Sequence, residues 1–259
     1  MRVDGGRGGP GISVFFPAFN DGGTIASMVL EAARACRAVT ADYELIVVND
    51  GSTDRTAAVL AELRALLPRL RVIDHGRNRG YGAALRSGFA AATKELVFYT
   101  DGDAQYDPTE LALLLPRLAP GVDVVNGYKI DRADPLGRIV IGRLYHWLMK
   151  LLFGFRLRDV DCDFRLIRRA ALERVTLTSD TGMIALELVK KLQDAGCVFA
   201  EVPVHHYHRA YGKSQFFNVG RIWRTGTDIL RFWWALHARR PRAEPARPAR
   251  EDAPGRRRG

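Results

Sequence analysis

Two aspartates one residue apart, Asp101 and Asp103, follow the apolar run ELVFYT. Carboxylates at that spacing just past a strand end can reach one hard cation. Mg²⁺ or Mn²⁺ suits them, because such ions take a few carboxylates and complete their shell with water and phosphate oxygens. An isolated Asp-Gly-Asp is equally a solvated turn that caps the next helix, so its company matters. The turn Asn49-Asp50-Gly51-Ser52-Thr53-Asp54 also follows an apolar run, and offers a carboxylate, a glycine turn and a hydroxyl suited to gripping a base or ribose. Further on, Asn78-Arg79-Gly80-Tyr81-Gly82 opens a helix whose first amides are unpaired and partly positive. Its glycines would let backbone approach a diphosphate or the sugar on it, and Arg86, one turn in, adds a cation.

The elements around these residues have a regular order. Residues 12–16, 43–48, 71–73, 96–99 and 122–125 are β-rich apolar runs, and helical patterns over 24–38, 56–67, 82–92 and 108–118 lie between them. The last of these opens with proline in its first turn. Strands alternating with helices imply parallel βαβ units, hence a doubly wound, mostly parallel α/β sheet flanked by helices. Ligands then bind at the carboxyl ends of the strands, so Pro17-Ala18-Phe19-Asn20-Asp21, the 49–54 turn and Asp101-Gly102-Asp103-Ala104-Gln105 should open on one crevice. Beyond Asn126 the alternation fails. A long apolar helix is expected over 138–153, an acidic turn over 158–163, a strand ending in HHYHR and a final aromatic helix. With no internal repeat and no second core, one domain over 11–237 is expected, with 11–126 as the nucleotide-sugar half and 127–237 as the acceptor side.

In this order, PAFN, VVNDGSTD, NRGYGAALRSG and DGDAQYDP resemble the family 2 glycosyltransferases. The likeness is to the branch with dolichol-phosphate mannosyltransferases and bacterial polyprenyl-phosphate hexose transferases. It spans residues 12–217 and implies the GT-A (nucleotide-diphospho-sugar transferase) fold. By this resemblance Pro17, Phe19 and Asp50 line the nucleoside site, with Asn20, Ser52, Gly80, Arg86 and Gln105 also on the donor side. Asp101 and Asp103 hold the metal. Asn49 stands where the family often has a second acid, and Asp21 where it often has glutamate, which alters contacts while keeping a hydrogen-bonding group at each place. The run Asp159-Val160-Asp161-Cys162-Asp163-Phe164-Arg165 resembles the family's acidic turn before an FR or FK pair, where the acceptor-side carboxylate lies. Asp159 is favoured for that part, Asp161 next, with Arg165 beside them. The segment Arg209-Ala210-Tyr211-Gly212-Lys213-Ser214 resembles the family's RxxGxS, associated with the donor diphosphate, so Arg209, Lys213 and Ser214 join the donor set.

Other cations near two anionic substrates would be Lys129, Arg138 and Arg165. His205, His206 and His208 sit on a strand whose side chains alternate in direction, which favours site-edge histidines over a metal cluster. In RIVIGRLYHWLMKLLFG, Arg143, His146 and Lys150 fall on one face of an otherwise apolar helix, and FFNVGRIWRTGTDILRFWWAL sets three Trp among arginines. Both patterns fit a helix lying at a bilayer interface as well as core or dimer packing.

The chain is 259 residues long with a net charge of +10. Half of that charge comes from the Pro/Arg-rich stretch 238–259, with eight Arg against three acids, expected to be a disordered tail like the Gly-rich residues 1–10. No aromatics interleave with those arginines, so nucleic acid is an unlikely partner. Three dispersed cysteines, Cys36, Cys162 and Cys197, imply neither zinc nor disulfides, and no signal peptide or spanning run is evident. A cytoplasmic protein, peripheral on the inner face of the cell membrane, is expected, with a second copy or a membrane protein as a further partner.

The expected activity is inverting transfer of a hexose from a UDP- or GDP-sugar to a polyprenyl phosphate. A lipid phosphate, with a second pKa near 6, is already largely ionised, whereas a hydroxyl acceptor would need a base. The alternatives are a family 2 enzyme acting on a glycan or other hydroxyl, and a non-catalytic basic scaffold or nucleic-acid-binding protein on the same fold.

Overall fold

A computed structural model describes residues 9–130, 147–209, 211 and 219–238. Residues 1–8, the start of the expected apolar helix with Arg138, Arg143 and His146, the pair Lys213 and Ser214, and the tail from residue 239 lie outside the described residues.

The chain runs β1 (Ile12–Ala18), α1 (Ile25–Val39), β2 (Tyr43–Asn49), α2 (Thr56–Leu66), β3 (Leu70–Asp74), α3 (Tyr81–Ala91) and β4 (Leu96–Thr100). A 3₁₀ turn at Pro108–Glu110 leads into α4 (Leu111–Leu114), followed by β5 (Val124–Ile130). Next come α5 (147–153), β6 (Phe164–Arg168), α6 (Arg169–Leu172), α7 (Ile184–Asp194), β7 (Phe199–His205) and α8 (Val219–Ala238).

The seven strands form one sheet in the order β3-β2-β1-β4-β6-β5-β7. Every neighbouring pair is parallel except those made by β6, which runs antiparallel to both β4 and β5. Strands β1, β2 and β4 are buried at every position, as central parallel strands with both faces covered must be. Val14 and Phe16 point into a core under α1, α2 and α4, while Phe15, Val97 and Tyr99 point into the opposite core under α3 and α7. Helix α1 meets its core with Ile25, Met28, Val29, Ala32, Ala33 and Cys36, a stripe at helical spacing.

Strand β6 is the departure from the sequence pattern, which gave no strand there. FRLIR is five residues long and carries an arginine at its second position, so it reads as polar. Yet the Arg165 side chain is fully buried, and its guanidinium donates to Asn126 Oδ1, Tyr99 Oη and the Val160 carbonyl. These acceptors make burial of the charge tolerable. Because β6 is antiparallel, its beginning lies at the carboxyl end of β4, with Phe164 opposite Thr100. The acidic turn that precedes β6 is thereby delivered to the edge where the loops of β1, β2 and β4 open.

A third apolar cluster binds α5, α7 and α8 together through Met149, Phe153, Leu186, Val189, Ile229 and Phe232. Helix α7, amphipathic at helical spacing, was also missed by the sequence reading. Among the described residues no helix is long and apolar enough to cross a membrane.

Candidate active site

The loops after β1 and β2 are laced together by side chains. Asn20 adopts a positive φ of 60°, and its Oδ1 accepts the amides of Thr53 (2.8 Å) and Asp54 (3.3 Å). In return the Asn20 amide donates to Ser52 Oγ at 3.0 Å. Asn20 and Ser52 thus brace the crevice floor. Asp50, at the end of β2, is almost fully buried and accepts from the amides of Arg79 and Gly80, both at 2.9 Å, while His75 Nδ1 lies 2.7 Å from its Oδ1. His75 is fixed in turn by Ser87 Oγ at 2.9 Å from its other ring nitrogen. Asp50 therefore sets the path of the backbone that crosses the crevice.

At the end of β4 lies a cluster of carboxylates. Asp101 is held by the Tyr81 hydroxyl at 2.7 Å, and its acid is pushed well above the usual carboxylate range by burial, then by Asp163, Asp103 and Asp21. Asp103 is likewise raised by burial, against the pull of Arg209, whose guanidinium lies 2.5 Å from its Oδ2. Burial raises Asp21 to about 6, opposed by the Phe19 amide and reinforced by Asp103. Carboxylates so confined repel one another until a cation joins them. Their donors are all hard oxygens, which fits Mg²⁺ or Mn²⁺. Among the described residues no set of three or more His, Cys, Asp or Glu forms a cage for an ion. A site of one or two carboxylates with room for phosphate oxygens is the arrangement Mg²⁺ commonly uses.

The glycines that open α3 also admit a neighbouring loop. Gly80 has φ +99°, and a Cβ there would sit 2.4 Å from the Asp180 carbonyl oxygen. A Cβ on Gly82 would sit 2.3 Å from the Ser179 carbonyl, and the Gly82 amide donates to the Asp180 carbonyl at 3.0 Å. The segment they admit is the loop 178–183. Arg86 grips the same loop, donating to the carbonyls of Thr178 (3.0 Å) and Ser179 (2.5 Å) and to the Asp180 carboxylate. From the far side Glu187, fully buried on α7, accepts from the Thr178 and Ser179 amides at 3.0 and 2.8 Å and from the Thr178 hydroxyl at 2.8 Å. Arg86 is thus engaged with protein, although 29% of its side chain stays exposed.

The acidic turn before β6 divides its aspartates. Asp159 accepts from the amides of Lys129 (3.3 Å) and Asp161 (3.1 Å). Asp161 is raised to about 6 by burial, against Lys129, whose ammonium donates to the Asp161 carbonyl at 2.8 Å. Asp163, which the sequence reading did not single out, is a member of the turn that acts on Asp101 and Asp103, with Tyr99 Oη and Arg165 Nη1 each 3.4 Å from its Oδ1. The signal was present: Asp163 directly precedes the strand that lies against β4.

After β7 the chain fastens back onto the 103–110 loop. Gln105 exchanges two hydrogen bonds with the Tyr207 backbone, at 2.9 and 3.3 Å, and His205 donates its amide to Glu110 at 3.0 Å. These contacts carry Arg209 to Asp103. His206 packs edge-on against Tyr106.

A pocket of about 920 Å³ gathers Pro17, Phe19, Asp50, Gly80, Asp101, Asp103 and Arg209 in one lining. Asn20, Ser52, Arg86, Gln105, Asp159, Asp161 and Arg165 are not among its lining residues. Its second wall was not foreseen: it comes from the 178–183 loop and from α8 through Thr225, Asp228, Arg231 and Phe232.

A mixed seven-stranded sheet whose loops after β1, β2 and β4 open on one crevice, with Asp101-Gly102-Asp103 after β4, is the GT-A arrangement. The profile of Glycosyl transferase family 2 matches residues 13–176, more than half of the chain, and the protein belongs to that family. Undecaprenyl-phosphate 4-deoxy-4-formamido-L-arabinose transferase of Pseudomonas paraeruginosa (strain DSM 24068 / PA7) is 30% identical over 207 residues, covering 79% of this chain and 60% of the relative. Its namesake from Enterobacter sp. (strain 638) is 28% identical over the same length, covering 79% and 62%. The chain therefore spans about three fifths of these relatives. Among solved structures, glucosyl-3-phosphoglycerate synthase from Mycobacterium tuberculosis, in complex with Mn²⁺, UDP and phosphoglyceric acid, superposes with a TM-score of 0.67 at 22% identity, covering 88% of this chain and 78% of that one. Its complex with Mn²⁺ and UDP-glucose gives 0.65 at 21%, with 88% and 79% covered.

Proposed function

We propose that the protein transfers a sugar from a UDP- or GDP-sugar to a polyprenyl phosphate, with inversion at the anomeric carbon and with Mg²⁺ or Mn²⁺ held by Asp101 and Asp103. The observation that carries this reading is the single pocket that joins Pro17, Phe19 and Asp50 to the aspartates after β4. The named relatives support the acceptor class, being undecaprenyl-phosphate sugar transferases. Their names specify an arabinose derivative, so the sugar is proposed here without fixing a hexose.

Pro17 and Phe19 offer an apolar ledge for the base, and Asp50 keeps the 78–80 backbone beside it. The bound metal would supply positive charge to the leaving diphosphate. Arg209, already at Asp103, is placed to share that diphosphate. The bond from the anomeric carbon to the diphosphate oxygen breaks as an acceptor phosphate oxygen bonds to the opposite face. Because that phosphate is largely ionised near neutral pH, no proton need be removed. The turn before β6 would supply the acceptor-side carboxylate, Asp159 or Asp161 with Asp163 beside them, and Arg165 would anchor that turn through the Val160 carbonyl.

Exposed apolar side chains support attachment at a membrane surface. Trp147, Leu148 and Leu151 on α5, and Leu230 and Trp234 on α8, are exposed on two helices packed side by side. The net charge of +10 favours an anionic leaflet. We place the protein on the cytoplasmic face, where nucleotide sugars are made.

The test is incubation of purified protein with membranes and labelled UDP- or GDP-sugars. Label in an organic-extractable, phosphate-linked lipid supports the reading. Label only in a glycan or other hydroxyl acceptor overturns the acceptor, and absence of any nucleotide-sugar binding by the folded protein overturns the enzyme.

A further inference from the structure

The wall of the pocket opposite the nucleoside ledge is built by a helix that the family match, which ends at residue 176, does not reach. Along α8, Thr225, Asp228, Phe232 and Ala235 recur at intervals of three or four residues and all line the pocket. This is one stripe of one helix face. Beneath it, Ile229, Phe232 and Leu236 pack against α5 and α7, so the helix is seated by its own apolar neighbours.

Asp228 is the acidic member of that stripe. Its Oδ2 accepts from the Thr181 hydroxyl at 3.0 Å, and its Oδ1 lies 3.7 Å from Arg231 Nη1. Its side chain keeps 27% of its exposure. Thr181 belongs to the 178–183 loop, which Gly80, Gly82, Arg86 and Glu187 fix to the start of α3. Asp228 is therefore oriented from two sides without being consumed. The nucleoside contacts lie on the β1 and β2 loops and the metal carboxylates after β4. The rest of the lining holds several hydroxyls, the carboxylates of Asp180 and Asp228, and the guanidiniums of Arg79 and Arg231, with Met183 and Phe232 as apolar neighbours. A carboxylate accepting from neighbouring hydroxyls, with an arginine donating beside it, is the complement of a ring bearing several hydroxyl or amide groups.

We infer that Asp228, held by Thr181, is a specificity-determining residue that reads the transferred sugar of the donor. This inference rests on the proposed function. It adds that sugar choice is made by α8 and the 178–183 loop, separately from the nucleotide. A carboxylate placed to accept hydroxyls discriminates strongly, since a sugar lacking the matched donor leaves it unpaired in the pocket.

The test is calorimetric titration with Mn²⁺ of UDP, GDP, UDP-glucose, UDP-galactose, UDP-N-acetylglucosamine and GDP-mannose into the full chain, into Asp228→Asn and into Thr181→Val. The expected result is that Asp228→Asn weakens the preferred sugar nucleotide roughly tenfold or more relative to its own nucleotide, or reorders the sugars. Thr181→Val should change the same ratio in the same direction to a smaller extent. Unchanged ratios across the panel overturn the inference while leaving the proposed function intact. Equal weakening of nucleotide and sugar nucleotide also overturns it, as that would mark Asp228 as structural. Failure of the parent chain to bind any nucleotide or sugar nucleotide overturns the proposed function, and the inference with it.

Discussion

The Asp50 carboxylate and the Gly80 amide meet at 2.9 Å, tying the end of β2 to the start of α3 across 30 residues. Replacing Asp50 by Ala leaves this amide and that of Arg79 without an acceptor in a nearly closed setting. The expected cost is roughly 1–3 kcal/mol of stability with weaker nucleotide binding. Chemical denaturation and titration of UDP and GDP check both effects; full affinity in a variant of normal stability would contradict the arrangement.

Gly80→Ala brings a methyl group to 2.4 Å from the Asp180 carbonyl at a φ of +99°. Both strain and contact oppose it, so destabilisation beyond about 1 kcal/mol is expected. Limited proteolysis should show faster cleavage within residues 178–183, since that loop must retreat.

Asp103→Ala removes one of the two carboxylates proposed to hold the metal and the partner of Arg209. Nucleotide-sugar affinity should lose its dependence on Mn²⁺ while the fold persists, as read by titration with and without the ion alongside circular dichroism. An unaltered Mn²⁺ dependence would remove Asp103 from the metal site.

Glu187 is raised by burial but lowered more by Lys191, the Ser179 amide and the Thr178 hydroxyl, so its acid lies below the ordinary glutamate value of 4.5. A depressed acid contributes stability above its unfolded value and loses it as pH falls through the folded one. Glu187→Gln should therefore cost roughly 2–4 kcal/mol at pH 7. The gap from the parent should narrow below about pH 4.5, as thermal melts across pH 3–7 would record.

Trp234 and Leu230 are 70% and 65% exposed. Changing both to Ser should reduce partition onto anionic vesicles roughly tenfold or more, with no loss of thermal stability. Equal flotation of parent and variant would put the membrane contact elsewhere.

The first half of the sheet was legible because its rules are local. Apolar runs ending in Asn20, Asp50 and Asp101 announce strands, and a parallel sheet puts whatever follows its strands on one edge. The side chains behind the edge were less legible. Arg86 in a GxG helix resembles a phosphate cation, and only the packing of 178–183 shows where its donors go. Asp163 was hidden by direction: in an antiparallel strand the residues that precede it, not those that follow, lie at the end of β4 that carries Asp101 and Asp103. The α8 wall could not be read at all, since an aromatic helix with arginines gives no sign of which stripe will turn inward.

Strand β6 has a consequence for how the chain can be made. Both edges of β4 are buried, one by β1 and the other by β6, whose Phe164 pairs with Thr100. While the polypeptide emerges from the ribosome, LVFYT presents an open, wholly apolar edge until FRLIR arrives, because β5 takes its place only beyond β6. Such an edge invites pairing with other chains. A fragment ending at Asn126 should therefore aggregate instead of folding, so residues 11–126 are not expected to stand alone as a module.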